Sequence, residues 1–237
     1  MIVEPPKAGR VSAIAVVTGA SRGIGRAAAE ALARRHHAVS LWGRDLAQLN
    51  AVAAEIERND GKAQVVECDV ASAASVDLAA RRVLHELGVP DVVVNNAGIV
   101  ERALVEEMPE SMWDRVLDTN LKGPYLVTRA LLGPMKSRGT GRIVHVASIS
   151  STLGTGRASA YCASKWGLVG FMKSLAEELR GTGLQTMAVL PGSTDTDMLA
   201  GSGFAAQMSA EDVAKTIVWA ALDAPPATHG SAIEMFG

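Results

Sequence analysis

The sequence predicts an α/β domain in which helices cover both faces of one parallel sheet, the doubly wound arrangement. From Val11 onward, short runs rich in β-branched residues alternate with longer Ala-rich stretches. This alternation is typical of repeated β–α units, whose strands pair in parallel. A glycine-rich segment follows the first apolar run directly, and sheets of this kind bind ligands beyond the carboxyl ends of their strands.

About seven strands and six helical segments follow from this pattern. Each predicted strand is short, apolar and bounded by polar or turn-forming residues. Strands are expected at Val11–Val17, Ala38–Trp42, Gln64–Glu67, Val92–Val94, Arg142–Ala147, Gln185–Leu190 and Ala232–Met235. Helices are expected at Ile24–Arg35, Leu46–Asn59, Ser75–Leu87, Ser111–Lys136, Ala158–Arg180 and Glu211–Leu222.

Composition narrows the class of protein. A chain of 237 residues with 48% hydrophobic side chains and a net charge of −2 is typical of one soluble globular domain. We expect this domain to span residues 1–237, with 1–10 as a loose N-terminal segment. No apolar stretch approaches the roughly 20 residues of a membrane span, and Pro5 and Pro6 interrupt any secretory signal. Two cysteines and the absence of a basic block favour a cytoplasmic protein that does not bind nucleic acid.

The glycine-rich segment has the sequence Thr-Gly-Ala-Ser-Arg-Gly-Ile-Gly at residues 18–25. Glycine tolerates positive φ and lets a pyrophosphate approach the backbone, and a helix that starts here presents free N–H groups to a phosphate. The spacing Gly-x-x-x-Gly-x-Gly is one residue longer in its first gap than the common dinucleotide fingerprint. On its own, such a turn is equally compatible with a purely structural connection.

That longer spacing resembles the short-chain dehydrogenase/reductase family, and four further motifs support the resemblance. They are Cys-Asp-Val at 68–70, Asn-Asn-Ala-Gly at 95–98, a Ser/Tyr/Lys set beginning at Ser148, and Pro191-Gly192 followed by Thr196. The resemblance covers nearly the whole chain from Val11. It implies a single-domain Rossmann-type fold and a nicotinamide-dependent oxidoreductase.

The resemblance also assigns roles to individual residues. It implies a catalytic set of Asn120, Ser148, Tyr161 and Lys165. It implies a cofactor site formed by Gly19, Ser21, Arg22, Gly23, Ile24, Gly25, Arg44, Asp69, Val70, Asn96, Ala97, Gly98, Tyr161, Lys165, Pro191, Gly192, Thr194 and Thr196.

The chemistry of Tyr161 and Lys165 is consistent with these roles. Residues four apart share one face of a helix. A free phenol titrates near 10, so a nearby ammonium that favours the phenolate would bring its proton exchange closer to neutrality. We therefore expect Lys165 to lower the pKa of Tyr161, which acts as general acid in reduction and as general base in oxidation.

Ser148 and Asn120 are expected to support this pair. Ser148 ends a predicted strand 13 residues before Tyr161, so one loop would bring the two hydroxyls together, and it is preferred over Ser150 and Ser151 on spacing. Asn120 is a poor residue for the helix that we predict around it, and the resemblance implies that it holds a water in a proton relay to the lysine. The histidines show no metal-ligand spacing, so no metal is expected.

The end of the second strand favours NADP(H) over NAD(H). Gly43 stands where an NAD-selecting carboxylate is expected, and Arg44 follows it. Arg44 is expected to bind the 2′-phosphate that distinguishes NADP from NAD, and Arg22 is expected to reach this phosphate from the glycine turn. The alternative makes Asp45 the ribose ligand, although its place before a helix favours an N-cap.

The substrate is less well defined by the sequence. The motifs look most like those of 3-oxoacyl-[acyl-carrier-protein] reductases, which implies a small or carrier-tethered carbonyl substrate. The segment from Ser193 to Met208 is short and contains Gly201 and Gly203, so we expect a mobile lid over an open site. A basic rim for an acidic carrier is sought in Arg129, Lys136, Arg138, Arg142 and Lys173.

Three further expectations concern assembly, catalysis and local bonding. The resemblance implies a homotetramer, and apolar residues on more than one face of the Tyr161 helix favour it: Leu168, Val169, Phe171, Met172 and Leu175. A nucleotide-binding sensor or scaffold without catalytic activity is the alternative from another class. The family usually has Asn at the positions of His145 and Met187, so local hydrogen bonding is expected to differ there.

Overall fold

A computed structural model describes residues 13–237 of the chain. The expectation of a loose segment at 1–10 lies outside the described residues, as does the start of the first predicted strand at Val11.

The described chain forms one parallel sheet of seven strands in the order β3-β2-β1-β4-β5-β6-β7. This order confirms the predicted Rossmann-type sheet. Pairing is in register along each strand; for example, Val17 lies beside Leu41 of β2 and Val94 of β4. The strands are β1 (Ala13–Thr18), β2 (His37–Gly43), β3 (Lys62–Glu67), β4 (Val92–Asn95), β5 (Gly141–Val146), β6 (Leu184–Pro191) and β7 (Ala232–Met235).

Within residues 13–237, seven α-helices connect the strands and cover both faces of the sheet. They are α1 (Gly23–Arg34), α2 (Leu46–Arg58), α3 (Ala73–Glu86), α4 (Glu110–Leu117), α5 (Gly123–Arg138), α6 (Ser159–Glu178) and α7 (Ala210–Val218). On one face, side chains such as Val17 of β1 pack with Leu32, Leu49 and Val213 of α1, α2 and α7. On the other face, Val16 packs with residues of α3, α5 and α6.

The sheet reverses its direction of growth between β1 and β4. The chain moves outward from β1 through β2 to β3 and then returns to place β4 on the other side of β1. Loops that follow β1 and β4 therefore diverge and leave a crevice at their carboxyl ends. The glycine turn borders this crevice, which fixes the location of the ligand site.

The prediction of one continuous helix at Ser111–Lys136 is wrong, because the helix is interrupted. A π-helical turn at Asp118–Lys122 separates α4 from α5, and it contains Asn120. Such turns insert an extra residue into the helical ladder and rotate a side chain out of the regular helical periodicity. A similar turn at Trp219–Asp223 follows α7 within the helix predicted to Leu222.

The apolar residues of α6 are largely used by the chain's own core. Leu168, Met172 and Leu175 are buried against the sheet, while Val169 and Phe171 are half-buried. Three of the five residues on which the assembly expectation was based are therefore not available to a second subunit.

Within residues 13–237, no helix has the length and apolar character needed to cross a bilayer. Cys68 is buried and Cys162 is half-buried, and both are free thiols.

Candidate active site

A cleft of about 1580 Å³ lies at the carboxyl edge of the sheet. It runs from the end of β2, over the glycine turn, to the segment that follows β6, which we call the lid (residues 193–208). Many residues assigned to the cofactor line it, namely Gly19, Ser21, Arg22, Gly23, Ile24, Gly25, Arg44, Asp69, Val70, Asn96, Ala97, Gly98 and Thr196. The residues that line the cleft extend from the predicted adenosine end to the predicted nicotinamide end of the cofactor site.

The glycine turn leaves the start of α1 open to a ligand. No side chain caps the N-terminus of α1, whereas Asp45, Ser72 and Ser209 cap α2, α3 and α7. Uncapped N–H groups and the helix dipole attract a phosphate. The start of α1 therefore fits the pyrophosphate of a dinucleotide, and the N-cap role expected for Asp45 is confirmed.

Two glycines let the turn pack tightly. Gly19 adopts φ +63°, which disfavours other residues, and a Cβ on Gly25 would lie 2.1 Å from the Gly19 carbonyl oxygen. The same Cβ would lie 2.4 Å from Asn96 Nδ2. The turn thus brings α1 directly against the loop after β4.

Thr18 and Asn96 connect the ends of β1 and β4. Thr18 Oγ1 accepts hydrogen bonds from the backbone N–H groups of Asn96 and Ala97, both at 3.0 Å. Asn96 Nδ2 donates to the carbonyl oxygens of Thr18 and Gly19 at 2.9 and 3.2 Å. These four bonds fix the two loops that border the crevice.

Asn120 is fully buried and holds the loop after β4 from the other side. Its Oδ1 accepts from the Ile99 N–H at 2.8 Å, and its Nδ2 donates to the Ile99 carbonyl at 2.8 Å and to Ser164 Oγ at 3.1 Å. The π-helical turn turns this side chain into the protein. One lone pair of Oδ1 remains for a further donor.

Lys165 is buried on α6, with only 4% of its surface exposed. Its Nζ donates to the Val146 carbonyl oxygen at 2.8 Å and lies 5.7 Å from the centre of the Tyr161 ring. Burial lowers the pKa of Lys165 to about 8. The lysine is therefore protonated at neutral pH and loses its proton at mildly alkaline pH.

Tyr161 and Ser148 meet at the carboxyl end of β5, as the sequence predicts. The Ser148 hydroxyl contacts the phenol, donates to the Pro191 carbonyl oxygen at 3.4 Å and accepts from the Ser150 N–H at 3.1 Å. Burial raises the pKa of Tyr161 above its ordinary value, and Ser148 offsets only part of this rise. The expectation that Lys165 lowers this pKa is not met in the chain alone, because desolvation of the phenol dominates.

The four residues of the predicted catalytic set do not line the cleft itself. Two of them border Gly98, where a Cβ would be 3.3 Å from Asn120 Oδ1 and 3.6 Å from Lys165 Nζ. Gly98 belongs to the cleft, so these two side chains adjoin its inner wall. Pro191, Gly192 and Thr194 do not line the cleft either, and they lie where β6 passes into the lid.

The end of β2 presents one of the two expected arginines to the cleft. Arg44 is exposed beside the half-buried Gly43. Arg22 Nη1 is instead paired with Asp197 of the lid at 2.9 Å, with both side chains largely exposed. Arg22 also lines the cleft, so its approach to a phosphate beside Arg44, which would replace the contact with Asp197, stays a prediction.

The lid is attached to the body of the protein at several points. The Gln207 N–H donates to the Ser193 carbonyl oxygen, and the Asp195 N–H donates to that of Met208. These two bonds hold the ends of the lid together. Arg102, in the loop after β4, donates to the Met198 and Ala200 carbonyl oxygens at 3.2 and 3.3 Å. The tip from 203 to 207 is exposed.

The expectation of a basic rim around the site is wrong for Arg138 and Arg142, whose contacts are well defined. Arg138 binds the carbonyls of Val89 and Pro90, and Arg142 binds those of Ala220 and Ala224. Both arginines precede or begin β5, so the parallel sheet places them at the edge opposite the cleft. None of the five basic residues lines the cleft.

His145, where altered hydrogen bonding is expected, forms a buried pair with Asn95. Asn95 Nδ2 lies 3.4 Å from His145 Nδ1 and donates to Thr128 Oγ1 at 3.2 Å. Within residues 13–237, His145 Nε2 and Asn95 Oδ1 have no hydrogen-bond partner. Burial, together with the charge of Lys165, lowers the pKa of His145 to about 3. Met187 is the second position where altered hydrogen bonding is expected, and its Sδ accepts from Thr228 Oγ1 at 3.4 Å.

Two other functional residues carried no clear signal in the sequence. Thr18 acts through its hydroxyl, and only its place before the first glycine distinguished it. Arg102 lies in a loop where an arginine is unremarkable, and its lid contacts join segments almost 100 residues apart. No group of three or more His, Cys, Asp or Glu side chains suited to a metal occurs in the part of the chain that the structure describes.

Comparison with known proteins connects this geometry to a family. The family model for short chain dehydrogenase matches residues 13–205. The chain is 40% identical over 186 residues to the 3-oxoacyl-[acyl-carrier-protein] reductase of Synechocystis, covering 78% of this chain and 75% of that protein. It is 37% identical over 185 residues to the corresponding FabG reductase of Escherichia coli, with 78% and 75% covered.

Solved structures show the same likeness. A variant of the actinorhodin polyketide ketoreductase with NADPH matches with a TM-score of 0.91 and 31% identity, covering 95% of this chain and 96% of that one. A Beutenbergia cavernae structure assigned as an NAD(P)-dependent gluconate 5-dehydrogenase, with bound NADP, matches with a TM-score of 0.87 and 35% identity, covering 94% of each chain.

The buried histidine predicts an acid-sensitive fold. The native state keeps His145 neutral to about pH 3, whereas the unfolded chain takes up a proton near 6.5. The native state therefore loses stability as pH falls below 6.5, by about 2 kcal/mol at pH 5. In His145→Asn this loss disappears, so urea unfolding at pH 7 and pH 5 should differ less in the variant. Equal differences in both proteins would contradict the buried neutral state.

Proposed function

Because the chain belongs to the short chain dehydrogenase family, we propose that it uses NADPH to reduce a ketone or 3-oxoacyl group to a secondary alcohol. Membership of the family makes it an oxidoreductase that acts on CH–OH or C=O groups with NAD(P). The cofactor preference, the carbonyl substrate and the roles of individual residues are part of the proposal.

One observation carries the proposal. The hydroxyls of Tyr161 and Ser148 meet at the end of β5, and the buried ammonium of Lys165 lies beside the Tyr161 ring. The inner wall of a cleft whose other end suits a dinucleotide phosphate adjoins this group. A proton donor and a site for a redox cofactor are thus close together, which is the requirement for carbonyl reduction.

In this mechanism Tyr161 is the general acid. A bound nicotinamide supplies a hydride to the carbonyl carbon. Ser148 donates a hydrogen bond to the carbonyl oxygen and stabilises the negative charge that develops on it. The Tyr161 hydroxyl gives its proton to the same oxygen, which completes the alcohol. Because burial keeps the phenol protonated at neutral pH, the free protein is prepared for reduction.

Lys165 and Asn120 are proposed to restore the proton. The charged Lys165 stabilises the phenolate that remains after the transfer. The lone pair left on Asn120 Oδ1 borders the same space at Gly98 as Lys165 Nζ. A water held there would bridge the amide and the ammonium and connect the phenol with solvent.

NADP(H) is the favoured cofactor. Arg44 faces the cleft at the end of β2, where Gly43 leaves no carboxylate to bind a free ribose hydroxyl. Asp45 uses its side chain to cap α2 by accepting from the Gln48 N–H at 3.0 Å, which weakens the case for NAD(H). The solved relatives named with NADPH and NADP support the same choice.

The carbonyl substrate is proposed to be small or tethered to a carrier, as the names of the reductase relatives suggest. The active form is proposed to be a homotetramer. Exposed aromatic side chains on neighbouring helices support an association surface, namely Trp113 on α4, Tyr125 on α5 and Trp166 on α6.

Tyr161→Phe tests the reaction. The variant keeps the ring but loses the transferable proton, so NADPH-dependent reduction of an acetoacetyl thioester should fall by roughly 10²- to 10⁴-fold. NADPH affinity, measured by fluorescence titration, should change little. Tyr125→Phe removes the same hydroxyl from α5 and should retain activity. Tight NADPH binding by an unmutated protein inactive on thioesters, diketones and cyclic ketones would favour a sensor.

Arg44→Ala tests the cofactor assignment. Loss of the guanidinium should raise the KM for NADPH roughly 10- to 100-fold, because a charge-assisted contact to the 2′-phosphate is removed, and should leave the KM for NADH nearly unchanged. Steady-state kinetics with both cofactors measure the difference. Arg58→Ala, at the exposed end of α2, is the matched control. Equal effects of Arg44→Ala on both cofactors would refute the assignment.

A further inference from the structure

We propose that Arg102 recognises an anionic group, a carboxylate or a phosphate, on the carbonyl substrate. The inference rests on the proposed function and makes it more specific, because it assigns a charge to the substrate and a residue to its selection.

Arg102 combines a place in the wall of the cleft with an electrostatic effect on the catalytic phenol. It is half-buried in the loop after β4 and lines the cleft together with Ile99 and Val100. Its charge also acts on Tyr161, where it favours the phenolate. A substrate whose carbonyl oxygen meets Tyr161 would therefore lie within reach of this guanidinium.

The charge of Arg102 has no counter-ion in the described chain. Within residues 13–237 no carboxylate lies within 4.0 Å of its guanidinium. The neighbouring Glu101 is directed away and binds Arg115 through two hydrogen bonds, at 3.0 and 2.8 Å. On the lid, Asp197 is bound by Arg22. Two nearby carboxylates, Glu101 and Asp197, are thus held by other arginines, and Asp195, which also lines the cleft, forms no ion pair with Arg102 within residues 13–237.

The contacts that Arg102 does make position it without neutralising it. Two of its five N–H groups donate to the Met198 and Ala200 carbonyls of the lid. These uncharged acceptors fix the plane of the guanidinium and leave three N–H groups free. A partly desolvated cation with free, oriented donors is suited to a planar carboxylate or to a phosphate oxygen pair.

Arg102 differs from the arginines assigned to the cofactor in the element that carries it and in its effect on the phenol. Three basic residues line the cleft in the described chain, and Arg22 and Arg44 belong to the glycine turn and the end of β2. Arg22 and Arg102 hold adjacent lid residues, Asp197 and Met198, but Arg102 follows β4 and is the one whose charge acts on the phenol. Apolar lining from Val100 and Phe204 nearby indicates a substrate that combines an apolar body with its anionic group.

Matched substrates test the inference with the intact enzyme. The first pair is acetoacetate and its neutral ethyl ester, which tests a carboxylate. The second pair is acetoacetyl-4′-phosphopantetheine and acetoacetyl-pantetheine, which tests a phosphate. For one pair, the unmutated enzyme should show a kcat/KM at least roughly 10-fold higher for the anionic member, and this preference should shrink as salt rises.

Arg102→Gln should remove that preference by lowering kcat/KM for the anionic member roughly 10- to 100-fold, with a much smaller change for its neutral partner. Arg102→Lys should restore part of it. Arg81→Gln, which removes an exposed arginine from α3, controls for net charge. Thermal unfolding and NADPH titration establish that the variants are folded.

Two outcomes would overturn the inference alone. One is an unmutated enzyme that reduces the neutral substrates but shows no preference for either anion, a result that needs no variant. The other is an equal loss of kcat/KM for both members of each pair in Arg102→Gln, which would mean that the arginine only holds the lid in place. Failure of the unmutated enzyme on all four substrates would instead count against the proposed function.

Discussion

Burial of the Lys165 ammonium beneath the end of β5 is the constraint on which the site depends. A drop in pKa from 10.5 to about 8 means that holding the charge there costs about 3 kcal/mol. The carbonyl of Val146 is the acceptor that makes this burial tolerable, and it is available because β5 ends there and its carbonyl leaves the sheet ladder. His145 and the Tyr161 phenol are kept in their neutral forms chiefly by their own burial, and the charge of Lys165 adds to the shift of His145 alone. The buried ammonium itself lies where one strand stops, at the carbonyl of Val146.

The rest of the fold holds the walls around this buried charge. Thr18 and Asn96 tie the glycine turn to the loop after β4. Asn120 ties Ile99, in the same loop, to Ser164 of α6. The π-helical turn is what allows Asn120 to point inward from an otherwise exposed helical segment. Arg102 then connects the same loop to the lid. One loop, from Asn95 to Ala103, is thus held by the glycine turn, by the π-helical turn and by the lid, so these three walls of the site are positioned together.

The sequence predicted the sheet and the closeness of Ser148 to Tyr161 because both depend on local patterns, while the catalytic roles of these residues stay a prediction. The last strand, Ala232–Met235, was predicted to the residue, and spacing alone brought Ser148 and Tyr161 together. What it missed depends on contacts between distant segments. Apolar periodicity continues through Asn120, so the π-helical turn leaves no trace in it. The partner of Arg22 is Asp197, far along the chain. Arg142 is the first residue of a predicted parallel strand, so the predicted strand direction already places it at the edge opposite the glycine turn, and its assignment to the rim was wrong. The pKa of Tyr161 was judged from its neighbour Lys165, whereas burial, which the sequence does not display, decides it.

The most direct test of this account is a titration of the Tyr161 phenol. The chain has two tyrosines, so Tyr125→Phe leaves one, and ¹³C labelling at Cζ reports its ionisation by NMR. The account predicts a phenol whose pKa lies above its ordinary value in the free protein and falls when NADP⁺ is bound, since a second cation then favours the phenolate. Ionisation of the free protein near pH 7, or a pKa that NADP⁺ leaves unchanged, would contradict it.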